Sequence, residues 1–224
     1  MNGEGRGWTW SWAWSAVAVP LVAMLPLAHG WAGDQSLLNA LATGHSTPGT
    51  LLAVLVTNLG SPQVVLLLAV LLAAVLWWRG RRRWAVVLLV NVLLVSAANE
   101  AVKQVVRRPV AQVQGQTVRT ARQAHIREHL TVQSPPLPRT VYAFPSGHAA
   151  GSSALLLSVA AFGWRSPRRW WWASGAAALV LLVGWSRVYL GAHYPTDVLA
   201  GWCLGTATTA ATLLTLRGVA RNRD

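Results

Sequence analysis

Trp84 to Gln104 reads WAVVLLVNVLLVSAANEAVKQ, with Arg79-Gly80-Arg81-Arg82-Arg83 before it and Arg107-Arg108 shortly after. A bilayer core about 30 Å thick takes roughly 20 apolar residues in a helix, because no water is present there to satisfy any other backbone. The run fits that length. Five further stretches come close, at roughly 10–28, 51–77, 146–164, 170–188 and 196–216, the second overlong and broken near Asn58, Gly60, Ser61 and Pro62. The expectation is an all-α polytopic membrane protein, a six-transmembrane-helix bundle forming one domain over 1–224.

Composition agrees: 54% of residues are hydrophobic and 11% charged, too apolar for an ordinary soluble domain. Nineteen basic residues against six acidic ones give a formal charge of +13. Lys103 is the single lysine, and the arginines gather in short clusters between apolar runs instead of a stripe with interleaved aromatics. Nucleic acid is therefore not an expected partner. The clusters at 79–83 and at Arg165-Ser166-Pro167-Arg168-Arg169, and the tail with Arg217, Arg221 and Arg223, are what the positive-inside rule puts in the cytoplasm. A multi-pass plasma-membrane protein with both termini cytoplasmic follows, with connections at about 29–50, 105–145 and 189–195 outside.

The longest external connection carries Arg107, Arg108, Arg119, Arg122, Arg127 and Arg139 with Glu128 as its only acid. Long loops escape the charge rule, so these side chains either touch lipid headgroups or face an anionic substrate. Trp8, Trp10, Trp77, Trp78, Trp84 and Trp170 to Trp172 fall at span ends, as an interfacial belt would. The lone Cys203 excludes an intrachain disulfide and a cysteine metal cluster. The apolar run at Trp14 to Leu27 follows a nearly uncharged start and reads as a span, not a signal peptide.

Ionisable residues beside membrane spans are costly and so mark function. Here they gather at the external ends of the later spans. Phe144-Pro145-Ser146-Gly147-His148 opens an apolar run as a helix start does, presenting N–H donors and the positive end of the helix dipole to a phosphate, with Gly147 allowing close approach. In Arg187-Val188-Tyr189-Leu190-Gly191-Ala192-His193-Tyr194-Pro195-Thr196-Asp197, Asp197 stands four residues after His193. It can hold one ring nitrogen and leave the other to attack. Lys103, at the end of the third span, snorkels to water or joins Arg187 in a phosphate clamp.

These segments resemble the type 2 phosphatidic acid phosphatase superfamily, which includes bacterial undecaprenyl-diphosphate and phosphatidylglycerophosphate phosphatases. The likeness covers roughly residues 55–215. It implies that His193 attacks phosphorus to give a phosphohistidine, that Asp197 orients it, and that His148 protonates the departing lipid oxygen. Lys103, Ser146, Gly147 and Arg187 would hold the phosphoryl oxygens, with neither metal nor other cofactor. The partners expected are a lipid phosphate or diphosphate substrate and membrane lipids; no motif specifies an oligomeric state.

The first family motif departs from pattern. Six residues separate Lys from Arg-Pro in the family, whereas Val110 and Ala111 stand there and Arg108-Pro109 comes two positions early. Arg108 reaches the clamp through a shorter turn, another loop arginine substitutes, or one contact is missing; Arg108 is the preferred candidate. Rival readings are a catalytically impaired relative that binds lipid phosphate, a transporter component, and a zinc hydrolase built on His125-Ile126-Arg127-Glu128-His129, a weak pattern without a third ligand.

Overall fold

The computed structural model describes residues 5–43, 46–113, 116–117 and 142–221. Helices α1 (Gly5–Leu27), α2 (Asp34–Thr43), α3 (Thr47–Leu59), α4 (Pro62–Trp78), α5 (Arg82–Val106), α6 (Gly147–Gly163), α7 (Arg169–Tyr189) and α8 (Pro195–Arg221) make up the fold. A two-residue antiparallel pair, β1 (Gln112–Val113) with β2 (Gln116–Thr117), sits beyond α5.

By length and composition α5, α7 and the Pro195–Thr215 part of α8 can cross a membrane, and α3 with α4 makes a fourth span if the bent pair counts as one. Six were expected. Among the described residues the difference lies in Trp14–Leu27, which is only part of α1, and in Gly147–Gly163, an apolar helix that is shorter. The overlong second stretch is indeed two helices meeting at 53°. Its break is chemically specified: Pro62 has no N–H to continue a ladder, and the Ser61 hydroxyl accepts the Val64 N–H at 3.4 Å while donating to the Asn58 carbonyl at 2.8 Å. Leu67, Leu71, Val86 and Leu93 point outward, which an apolar solvent favours and water does not.

Helix α8 packs on α1 and α6. Small residues set the α6–α8 approach: a Cβ on Gly201 would lie 2.6 Å from the Ser146 carbonyl oxygen, and one on Gly205 2.6 Å from that of Ala150. Such contacts let backbones touch where no hydrophobic effect drives helices together. The fully buried Asn91 of α5 ties the same pair, its Nδ2 lying 3.2 Å from the Ala154 carbonyl, 2.9 Å from Ser158 Oγ and 2.9 Å from Thr209 Oγ1. Gly201→Val should therefore force the helices apart, costing about 1–3 kcal/mol; thermal unfolding in detergent should show a lowered midpoint, and an unchanged one would deny the close contact.

Candidate active site

The turn from α7 to α8 is built by its own backbone. The Arg187 carbonyl accepts the N–H groups of Ala192 at 2.9 Å and His193 at 3.3 Å, which folds the chain back over the end of α7. The reversal needs a left-handed residue, and Gly191 supplies it at φ 65°. His193 thereby returns beside Arg187. Pro195 then starts α8, leaving Asp197 in its first turn and wholly buried.

Asp197 is held on both oxygens. Oδ2 accepts the Tyr194 N–H at 2.9 Å and lies 3.6 Å from His193 Nδ1, while Oδ1 accepts from Arg108 at 2.8 Å. The 3.6 Å separation exceeds a hydrogen bond, and His193 Nδ1 has no hydrogen-bond partner among the described residues. The expected pairing of His193 with Asp197 is thus present as proximity, with the ring nitrogen facing the carboxylate.

The start of α6 is fastened to this turn by the Ser146 N–H donating to the Asp197 carbonyl at 2.9 Å. Ser146 occupies the N-cap without capping the helix, and its buried Oγ has no hydrogen-bond partner among the described residues. Gly147 faces α5, where an added Cβ would sit 3.3 Å from Asn99 Nδ2. His148 adjoins the α3–α4 break, a Cβ on Gly60 coming within 3.4 Å of His148 Cβ. From the same break Thr57 Oγ1 accepts a 2.7 Å hydrogen bond from buried Arg187. The broken span therefore supports two of the candidate residues.

His193 is held below its ordinary value of 6.5, chiefly by burial. The adjacent Asp197 carboxylate opposes this, and the nearby positive charges of Arg187 and Lys103 add to it. A neutral imidazole at neutral pH, with a lone pair to give, is the consequence.

Arg108 stands elsewhere than in an open clamp. Arg107 at φ 51° turns the chain out of α5, and Arg108 then donates to Thr196 Oγ1 at 2.7 Å, Asp197 Oδ1 at 2.8 Å and Asp34 Oδ2 at 2.9 Å, with the Tyr194 ring 4.5 Å from its guanidinium. Ala111, where the family has Pro, is buried in an apolar cluster with Leu38, Ala149, Val188 and Val198. The sequence gives no role to Asp34, Thr57, Asn99 or Thr196; Asp34 and Thr57 reach the candidate residues Arg108 and Arg187 only through tertiary contact. His45 and the loop residues Arg119, Arg122, His125, Arg127, Glu128, His129 and Arg139 lie outside the described residues.

A cleft between Arg81, Arg82, Arg165 and Phe162 lies at the far end of the bundle. At 1.5 Å per residue it lies about 30 Å from Lys103 along α5. The candidate residues instead converge where α5, α6, α7 and α8 meet the α3–α4 break: an all-helical fold with a buried His, Asp and Arg site at one end.

Residues 84–221 match the PAP2 superfamily, and the chain belongs to it. The resemblance carried by Ser146 to His148 and Arg187 to Asp197 is borne out. Over 71 residues the chain is 39% identical to undecaprenyl-diphosphatase of Sulfolobus acidocaldarius, 30% of either protein. Over 77 residues it is 34% identical to phosphatidylglycerophosphatase B of Bacillus subtilis, 32% of this chain and 38% of that one. The match thus spans only about a third of the length of these relatives. The fold is shared with the crystal structure of a transmembrane PAP2 type phosphatidylglycerolphosphate phosphatase from Bacillus subtilis, at TM-score 0.73 and 20% identity over 94% of this chain and 98% of that one. Aquifex aeolicus LpxE is also similar, at TM-score 0.59 and 16% identity over 83% and 97%.

Proposed function

We propose that the chain is a membrane lipid phosphatase that works without metal, through a phosphohistidine on His193, at the external membrane face. The observation that carries this is the burial of His193 between the Asp197 carboxylate and the charges of Arg187 and Lys103, with the start of α6 fastened to it through Ser146. Phosphoryl transfer asks for in-line placement and for positive charge around the equatorial oxygens, which two cations and a helix start can supply.

In this reading the His193 ring nitrogen remote from Asp197 attacks phosphorus as the P–O bond to the lipid breaks. The leaving oxygen takes the bond's electron pair and a proton from His148. His148 then accepts a proton from water, whose oxygen displaces His193 from phosphorus and yields inorganic phosphate. Lys103, Arg187, the Ser146 hydroxyl and the Gly147 N–H hold the phosphoryl oxygens throughout. The relatives' names point to phosphatidylglycerophosphate and undecaprenyl diphosphate as substrates, with phosphatidate beside them. Six spans follow if α1 and α6 cross along with the α3–α4 pair; the arginine clusters then put both termini in the cytoplasm.

The test is phosphate release by purified protein from these three lipids with EDTA present, and its inhibition by vanadate, which mimics the five-coordinate transition state. Release that survives EDTA and falls with vanadate is expected. Release abolished by EDTA would replace the histidine mechanism with a metal one. Silence of folded protein on all three lipids would instead favour the impaired relative, a reading motivated by Arg108 being engaged with carboxylates.

A further inference from the structure

Asp34 is one of six acids in the chain and lies fifty residues before the family match begins, yet it is buried in the site, 3% exposed. It receives four hydrogen bonds. The Thr196 N–H donates to Oδ1 at 3.1 Å, while the Thr196 hydroxyl, Arg108 at 2.9 Å and the Trp31 N–H at 3.2 Å donate to Oδ2. Two of these come from the first turn of α8, so Asp34 caps that helix from outside it. Gln35 adds a second latch, accepting from the Tyr194 hydroxyl at 3.1 Å. Leu38, wholly buried, packs with Ala149, Val188 and Val198. The start of α2 is thus seated on the turn that carries His193.

Arg108 links this clasp to Asp197. Its guanidinium lies between two carboxylates, one face covered by Tyr194, and a Cβ on Gly30 would come within 2.8 Å of its Nη2. The local charge count decides its part. Arg108 with Asp34 and Asp197 sums to −1, so Arg108 has no surplus charge to offer a phosphate. A planar fork donating to two carboxylates also fixes their relative placement, which a point charge does not.

We infer that Asp34, Arg108 and Thr196 form a positioning relay that holds Asp197, and through it His193, in place of the phosphate contact an arginine makes in the first family motif. The inference rests on the phosphatase reading above. Asp34→Asn and Arg108→Gln should each lower kcat on the order of 10- to 100-fold, as loss of residues supporting a reactive group does, at a KM within about twofold of the parent. The double variant should lose no more than Arg108→Gln alone, since both act along one chain of contacts. Arg108→Lys, keeping the charge but not the fork, should recover only part of the rate.

An arginine clamping phosphate makes the opposite forecast. Arg108→Gln would then raise KM, and Asp34→Asn would release Arg108 toward substrate and lower it; either result overturns the relay. Rates are taken per folded molecule on the best of the three lipids, and variants that do not fold are replaced by Thr196→Val, which removes the bridging hydroxyl while keeping its shape. A reduced kcat at unchanged KM supports the relay there too, and an unchanged kcat refutes it. Parent and His193→Ala run alongside: a silent parent removes the phosphatase reading and the relay together, while an active parent, a silent His193→Ala and a fully active Asp34→Asn remove the relay alone.

Discussion

His193→Ala should lose phosphate release by on the order of 10⁴-fold or more, the scale seen when a nucleophile is deleted from an otherwise intact site. Folding should survive, because Asp197 keeps its bonds to Tyr194 and Arg108 and its backbone link to Ser146. Acid-labile labelling of the protein from a phosphate-labelled lipid should disappear with the activity; labelling that persists would place the nucleophile elsewhere. The pH profile of the parent carries the same argument. Because burial and the neighbouring cations hold His193 below 6.5, attack is lost only once pH falls through that lowered value. The acidic limb of kcat/KM should therefore lie below pH 6.5; a limb above it would contradict the electrostatics described.

Arg187→Gln should cost on the order of 10²- to 10³-fold in kcat, the range found on removing one preorganised donor to transition-state charge. Its guanidinium is buried and braced by Thr57, so under the proposed mechanism it would meet developing charge without first reorganising. Arg187→Lys should recover little, since an ammonium has no fork with which to serve Thr57 and phosphate together. Steady-state rates on the preferred lipid decide it, and a change confined to KM would make Arg187 a ground-state binding group only.

Much of the site is legible in the sequence because two of its parts are local. His193 and Asp197 share a turn and a helix start, and Ser146, Gly147 and His148 are consecutive, so spacing alone brings their backbones near. The break in the second apolar stretch is legible for a similar reason: Ser61 and Pro62 impose it chemically. Asp34 and Thr57 are not legible, since their partners Thr196 and Arg187 lie 162 and 130 residues away and no local period joins them. Arg108 shows the limit from the other side. Its identity and approximate place are readable, but the carboxylates that surround it become visible only when α2 is seated.

The glycines of α8 have a consequence for the protein in lipid. Because Gly201 and Gly205 let α8 lie against the backbone of α6, the distance between the two halves of the site is fixed by protein touching protein. Bilayers that are too thin or too thick are met by helix tilt and lipid deformation, at fractions of a kcal/mol per Å, and a pair in backbone contact tilts as one body. Acyl-chain length in the host membrane then changes how a lipid presents its headgroup to the candidate site, while leaving the spacing of the candidate residues untouched.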